Sequence, residues 1–312
     1  MTVTENIEKI YGVMPKNPMH LSYKLVSSDA TFAAGKAEIR KEEMIIETEN
    51  KIISLPFTSV IPKRSKTYPI LITVTEDEEI PNKFLPAEEI VDRGYGIYII
   101  SAKDICTFTN KKDGIYLKII GSRRKSNSSG EIAVIAWAYE RLAECIFDRH
   151  AGKIETLIAT GHGIFARASL LAGGYSEKIT HVIANCVFSR PVPFSERRKN
   201  SGFTVKDLPL LYSPAFDDQP FGDETEALIN FCKSKSIMIG SAADGDESDI
   251  EYEASVINKF FQSPEKTKRK SPVKTLWQSE NFSYHIREGV DYFSRDDWKI
   301  YLDFIDKNLN NP

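Results

Sequence analysis

Two kinds of spacing alternate along the chain. Residues 37–48 and 51–61 are runs of strand character, and Glu49 and Asn50 lie between them in the turn position of a hairpin. An antiparallel unit is therefore expected near the N-terminus. Residues 68–75, YPILITVT, form a compact apolar run of the kind a buried strand needs. LPAEEIVDRG, residues 85–94, has apolar positions at helical spacing and ends on Gly94; YGIYIISA, residues 95–102, is again β-branched and aromatic. Strand, helix and strand at this spacing predict a βαβ crossover and hence a parallel sheet.

The alternation continues. A polar, basic loop at residues 122–130 leads into a long apolar-periodic helix at 131–150, a short buried strand at 155–161 and an Ala- and Leu-rich helix at 165–173. Strands follow at 180–188 and 236–243, separated by an irregular stretch rich in Pro, Asp and Gly. A helix at 251–261, a last strand with its exit loop in TLWQSE and FSYHIRE, and an amphipathic closing helix at 296–309 complete the pattern. No internal repeat appears. The fold expected is α/β, a mostly parallel doubly wound sheet flanked by helices. It forms one domain over residues 1–312, with an antiparallel β extension at 1–66 and the core at 67–312.

Composition narrows the partners. With 41 Lys and Arg against 44 Asp and Glu, the net charge of −3 offers no global field for nucleic acid or an anionic membrane. The basic run at 263–272 has no interleaved aromatics and reads as a solvated loop, as does the acidic run from Glu76 to Glu79. The N-terminal segment lacks an apolar signal core, and no stretch reaches about 18 apolar residues, so a cytoplasmic protein is expected. Cys106, Cys145, Cys186 and Cys232 include no CxxC pair and read as reduced thiols. His20, His150 and His181 have no partner at metal-ligand spacing, so neither a metal nor a cofactor is expected. Asp244, Asp246 and Ser248 imitate the alternate ligands of a calcium loop, but Asp249 and Ser255 stand where Gly and Glu are required.

The segment that carries chemistry is ETLIATGHGIFARASLLAGG, residues 155–174: a buried strand, a Gly-His-Gly turn and a helix of small residues. In the nucleophile elbow of α/β-hydrolases, Gly-x-Ser-x-Gly, the central serine sits in such a strained turn and the next backbone N–H serves the oxyanion hole. Here the centre is Gly163, which accepts positive φ without a Cβ and has no hydroxyl.

With this elbow, several other segments resemble, in order and spacing, the α/β-hydrolase carbohydrate esterases grouped with acetyl xylan and glucuronoyl esterases. They are EKIYGVMP (8–15), GKAEIRKEEMIIET (35–48), FLPAEEIVDRGYGIYII (84–100), GEIAVIAWAYERL (130–142) and SYHIREGVDYFSRDDWKIYLDFID (283–306). The resemblance implies an elbow reading Gly-His-Ser-Arg-x-Gly-Lys, with the serine as nucleophile and the arginine holding the oxyanion. This chain has Gly161, His162, Gly163, Ile164, Phe165, Ala166 and Arg167. The family's final loop, Arg-x-Gly-x-His before Ser-Arg-x-Asp-Trp, implies a histidine base where this chain has Asp291. A carboxylate with a reference pKa of about 3.9 is a far weaker base than imidazole. The triad acid would come from Asp244, Asp246 or Glu247.

Loss of the serine or the histidine alone costs about 10⁶ in kcat in a Ser-His-Asp enzyme. The reading that follows is a catalytically degenerate esterase-like protein with a vestigial cleft bounded by His162, Gly163, Ile164 and Asp291. It would bind a carbohydrate, another small molecule or a protein partner. The alternative is an active ester hydrolase with a relocated nucleophile, for which Cys186 and Ser189 are the candidates, or a water activated by Asp291. His162, His285, Trp137 and Trp298 read as packing residues, and Trp277, in a strand-like run, is undecided between packing and a sugar platform.

Overall fold

The computed structural model describes residues 2–64, 66–76, 79–106, 114–121, 123–150, 152–189, 209–216, 223–244, 250–260 and 275–310. The expected hairpin is the inner part of a three-stranded antiparallel unit. β2 (Ala37–Glu47) and β3 (Ile52–Pro62) pair from Glu47↔Ile52 outward, and β1 (His20–Asp29) adds to the outer side of β2. β1 was not legible as a strand because it is a largely exposed edge with no buried face to impose alternation. The unit joins the core where Thr58–Val60 of β3 lie antiparallel to Ile97–Ile99 of β5 (Gly96–Ser101).

From β5 the sheet runs parallel through β4 (Tyr68–Thr75), β6 (Ile154–His162), β7 (His181–Asn185), β8 (Ser236–Ala242) and β10 (Phe282–Arg287). β9 (Thr275–Gln278) closes the edge antiparallel to β10, giving the order β1-β2-β3-β5-β4-β6-β7-β8-β10-β9. TLWQSE and FSYHIRE are therefore two paired strands rather than one, a correction to the sequence reading: a turn at residues 279–281 folds the segment back on itself.

Successive residues of each central strand go to opposite cores. Ile70, Ile72 and Val74 of β4 pack in one cluster with Trp137 and Leu142 of α5 (Glu131–Arg149) and Leu170 of α6 (Ile164–Tyr175). Leu71, Ile158, Ile183 and Met238 pack in the other with Ile90 of α2 (Ala87–Asp92) and Trp298, Tyr301 and Ile305 of α9 (Arg295–Asn310). A strand buried on both faces reads as a near-continuous apolar run, as YPILITVT does up to Thr73 and Thr75 at its carboxyl end. The chain thus has the α/β-hydrolase fold, with antiparallel strands before a parallel, doubly wound core.

Among the described residues, four helices escaped the sequence reading. α1 (Val3–Tyr11) has a capping box between Thr2 and Glu5 and buries Ile7, Ile10 and Tyr11, although the segment is polar on average. α3 (Ala102–Ile105) and α4 (Ile115–Ile120) are too short to show a period, and α7 (Asp223–Phe231) lies in the stretch read as irregular. The helix expected at 251–261 is α8 (Ile250–Ile257). The basic run at 263–272 and residues Asp246, Glu247 and Ser248 lie outside the described residues. Among the described residues no helix is long and apolar enough to cross a membrane.

Candidate functional site at the carboxyl edge of the sheet

Parallel strands end together at one edge, and there an open α/β sheet places its ligands. β6 ends on His162, the chain turns at Gly163 with φ 58° and ψ −115°, and α6 begins at Ile164. This is an elbow conformation that an L residue occupies only under strain. The Gly163 N–H donates to the Asn185 carbonyl at 2.9 Å, tying the turn to the end of β7. Two residues earlier, a Cβ on Gly161 would run into the Phe165 carbonyl group, so glycine there is what lets α6 lie against β6. The elbow predicted from Gly161, His162 and Gly163 is present in its backbone.

The loop from β10 to α9 is held by one arginine. Arg287 Nε donates to both Asp297 carboxylate oxygens, at 3.1 and 2.9 Å, and its Nη atoms donate to the carbonyls of Glu288, Val290 and Tyr292 at 3.0, 2.7 and 2.7 Å. Asp297 also accepts from the Ser294 N–H and hydroxyl, and the Ser294 hydroxyl accepts from the Asp297 N–H at 3.0 Å, which caps α9. These bonds account for Arg287, Ser294 and Asp297 in the motif that carries the family resemblance. They build the bend that presents Asp291.

Asp291 meets His162 and Cys186. His162 Nε2 lies 3.4 Å from Asp291 Oδ1, and one ligand-type atom from each of the three residues falls within 4.8 Å of the others. Cys186 follows β7 directly, with φ at 53°, an unusual backbone for a non-glycine, and its N–H donates to the Gly240 carbonyl at 2.7 Å. Burial, first, and then the charge and hydrogen bonding of Asp291 push the Cys186 thiol well above its ordinary pKa, so it is a thiol rather than a nucleophilic thiolate. Asn185 Nδ2 lies 3.1 Å from His162 Nδ1 and 3.2 Å from the Tyr292 carbonyl, while its Oδ1 accepts from the Tyr301 hydroxyl at 2.7 Å.

On the other side of His162 is a cavity of about 100 Å³ lined by Thr73, Val74, Phe84, Phe165 and Trp298, among others. Its walls are mainly apolar and aromatic. Trp298 stacks on Phe293 at 4.3 Å and donates its indole N–H to the Phe84 carbonyl at 2.7 Å.

The other sequence candidates fall as follows. Ile164 and Phe165 are both buried; Ile164 goes into the core, and only Phe165 faces the cavity. Asp244 is exposed, and its carboxylate accepts from the Gly289 N–H at 3.0 Å, so it braces the loop two residues before Asp291. Asp246 and Glu247 lie outside the described residues. Arg167 is fully buried below the elbow, 3.4 Å from Glu224. His150 and His181 are buried and depressed to about 4, mainly by desolvation, and their partners are Tyr98 and the Thr156 and Thr180 hydroxyls. His285 is buried in β10, His20 is exposed on β1, Ser189 is partly buried after β7, and Trp137 is buried on α5. Trp277 lies in β9. Sequence reasoning had no means of pairing Cys186 with His162 and Asp291, or of singling out Asn185. The available signal was that Asn185 and Cys186 end an otherwise apolar strand.

Comparison with known proteins agrees with this architecture. The chain is 22% identical over 243 residues to carbohydrate esterase MZ0003 from an unknown prokaryotic organism; the match takes in 71% of this chain and 55% of that protein, so it spans about half the length of that curated relative. A glucuronoyl esterase from Solibacter usitatus superposes with a TM-score of 0.77 at 17% identity, over 98% of this chain and 91% of that one. A promiscuous CE15 esterase from the marine bacterial metagenome gives 0.75 at 19% identity, over 98% and 90%. No family model matches the chain. The fold of the glucuronoyl esterases, expected from the motifs, is present.

Proposed function

We propose that this chain is an esterase-fold protein without serine-esterase chemistry, which uses the carboxyl edge of its sheet to bind a small molecule or the edge of a sugar. The observation that carries the reading is the elbow: it keeps φ 58° and ψ −115° but places Gly163 at its centre. A turn of that shape lifts a nucleophile above the sheet, and glycine has none to lift. The reading is supported at the base position, where Asp291 faces a histidine and a buried thiol instead of offering an imidazole. Cys186 is a poor replacement nucleophile because its thiolate is disfavoured by burial and by the adjacent carboxylate.

The apolar cavity beside His162 is the site of binding. An engineered cavity of about 150 Å³ takes up benzene, so about 100 Å³ suits an acyl group or one edge of a ring. A carbohydrate ligand would put a CH face against the aromatic walls and its hydroxyls toward His162, Thr73 and Thr75.

The test restores the missing groups. Gly163→Ser combined with Asp291→His should hydrolyse a short-chain activated ester or a glucuronoyl ester at least about 10²-fold faster than the unaltered chain. Equal rates for the two proteins, with the unaltered chain itself turning over, would overturn the reading.

A further inference from the structure

We infer that His162, Cys186 and Asp291 form a binding site for a zinc-like divalent transition-metal ion at the carboxyl edge of the sheet. Each residue comes from a different element: the last position of β6, the first after β7, and the loop between β10 and α9. The donors are an imidazole nitrogen, a sulfur and a carboxylate oxygen, a mixed set that suits borderline-soft zinc and does not suit magnesium or calcium. Histidine spacing in the sequence gave no sign of this, because the three residues are brought together only by strand order.

The distances are close to what a metal needs. With zinc bonds of about 2.0–2.3 Å, tetrahedral ligands stand about 3.3–3.8 Å apart. His162 Nε2 and Asp291 Oδ1 are 3.4 Å apart, already at that separation. All three donor atoms lie within 4.8 Å of one another, so closure requires a contraction of no more than about 1.5 Å. The main chain around all three ligands is well fixed, by the Gly163–Asn185 and Cys186–Gly240 bonds and by the Arg287–Asp297 network. A coordinating divalent cation itself supplies the charge that holds Cys186 as a thiolate. Three protein ligands leave a fourth position for water or a ligand oxygen. His162 is shared with the lining of the cavity.

Asn185 is the positioning residue. Metal at His162 Nε2 requires the proton on Nδ1, and the Asn185 side chain is the group 3.1 Å from that atom. The amide must therefore turn to present its oxygen to Nδ1–H, giving up its bond to the Tyr292 carbonyl while the Tyr301 hydroxyl accepts from the amide nitrogen. Metal uptake displaces the thiol proton to solvent and moves the imidazole proton between ring nitrogens, with no change of oxidation state.

The test uses the full chain, stripped with chelator under reducing conditions and titrated with Zn²⁺ by calorimetry and with Co²⁺ by absorption. One equivalent per chain is expected, with a near-ultraviolet thiolate-to-cobalt charge-transfer band and a rise in melting temperature. Cys186→Ser should abolish the band, Asp291→Asn and His162→Gln should each weaken Zn²⁺ binding by about 10-fold or more, and Cys232→Ser should leave both readouts unchanged. Asn185→Leu should weaken binding by about 10-fold while keeping the band. If Cys186→Ser does not fold, the band in the unaltered chain and its weakening in Asp291→Asn carry the test. Absence of saturable binding at one equivalent, a band that survives Cys186→Ser, or affinity unchanged by Asp291→Asn would overturn the assignment. The inference is independent of the ester-hydrolysis assay above, since either can fail without the other.

Discussion

Two polar clusters share the loop between β10 and α9, and they differ in kind. Arg287 and Asp297 form a closed lattice: the arginine donates to a carboxylate and three carbonyls, and the carboxylate accepts from Ser294 as well. Asp291, at the tip of the same bend, faces a histidine across 3.4 Å and a thiol held in its protonated form. The first cluster is architecture, because each bond fixes backbone. The second consists of side chains from three different elements that the strand order has brought together. A scaffold of this fold can therefore change the side chains at the tip of the bend without losing its shape, as long as the lattice beneath them is kept.

That contrast is sharpest in stability. Arg287→Ala leaves Asp297, fully buried, without its cation, and should lower unfolding free energy by about 3–5 kcal/mol in urea denaturation. A loss below about 1 kcal/mol would mean that the loop is held by something other than this arginine. Gly161→Ala should come next, at about 3 kcal/mol, because the new methyl collides with the Phe165 carbonyl and pushes α6 off β6.

Gly163→Ala should cost less, about 1–2 kcal/mol, the conformational strain of an L residue at φ 58°. A neutral result would show that the elbow relaxes, and would count against the retained geometry on which the serine restoration depends. Asp291→Asn should be the smallest change, about 1 kcal/mol or less in stability, because asparagine keeps the size of the side chain and one hydrogen-bonding oxygen. Its effect belongs in metal affinity. If Asp291→Asn destabilises as much as Arg287→Ala, the distinction between the two clusters collapses.

The sequence made the architecture legible where burial is two-sided. YPILITVT can only be a central strand, and the Gly-His-Gly turn after a buried strand marks the elbow. It was silent where the pattern carries no period: β1 has no buried face, α3 and α4 are shorter than two turns, and α1 hides its apolar stripe within a polar average. At the site, Gly163 and Asp291 could be named in advance from motif position. Cys186 could not be joined to them, because its place beside Asp291 is set by the adjacency of β7 to both β6 and β8. Asp244, weighed as a triad acid, turns out to hold the Gly289 N–H.

The central claim is that the scaffold has kept the esterase turn and lost the esterase reaction. It is tested most directly by measuring hydrolysis of a short-chain activated ester and a glucuronoyl ester by the purified full chain, beside its Asp291→Asn and Cys186→Ala variants. The account predicts rates for all three that match the heat-denatured protein. Turnover by the unaltered chain that disappears in either variant would contradict it.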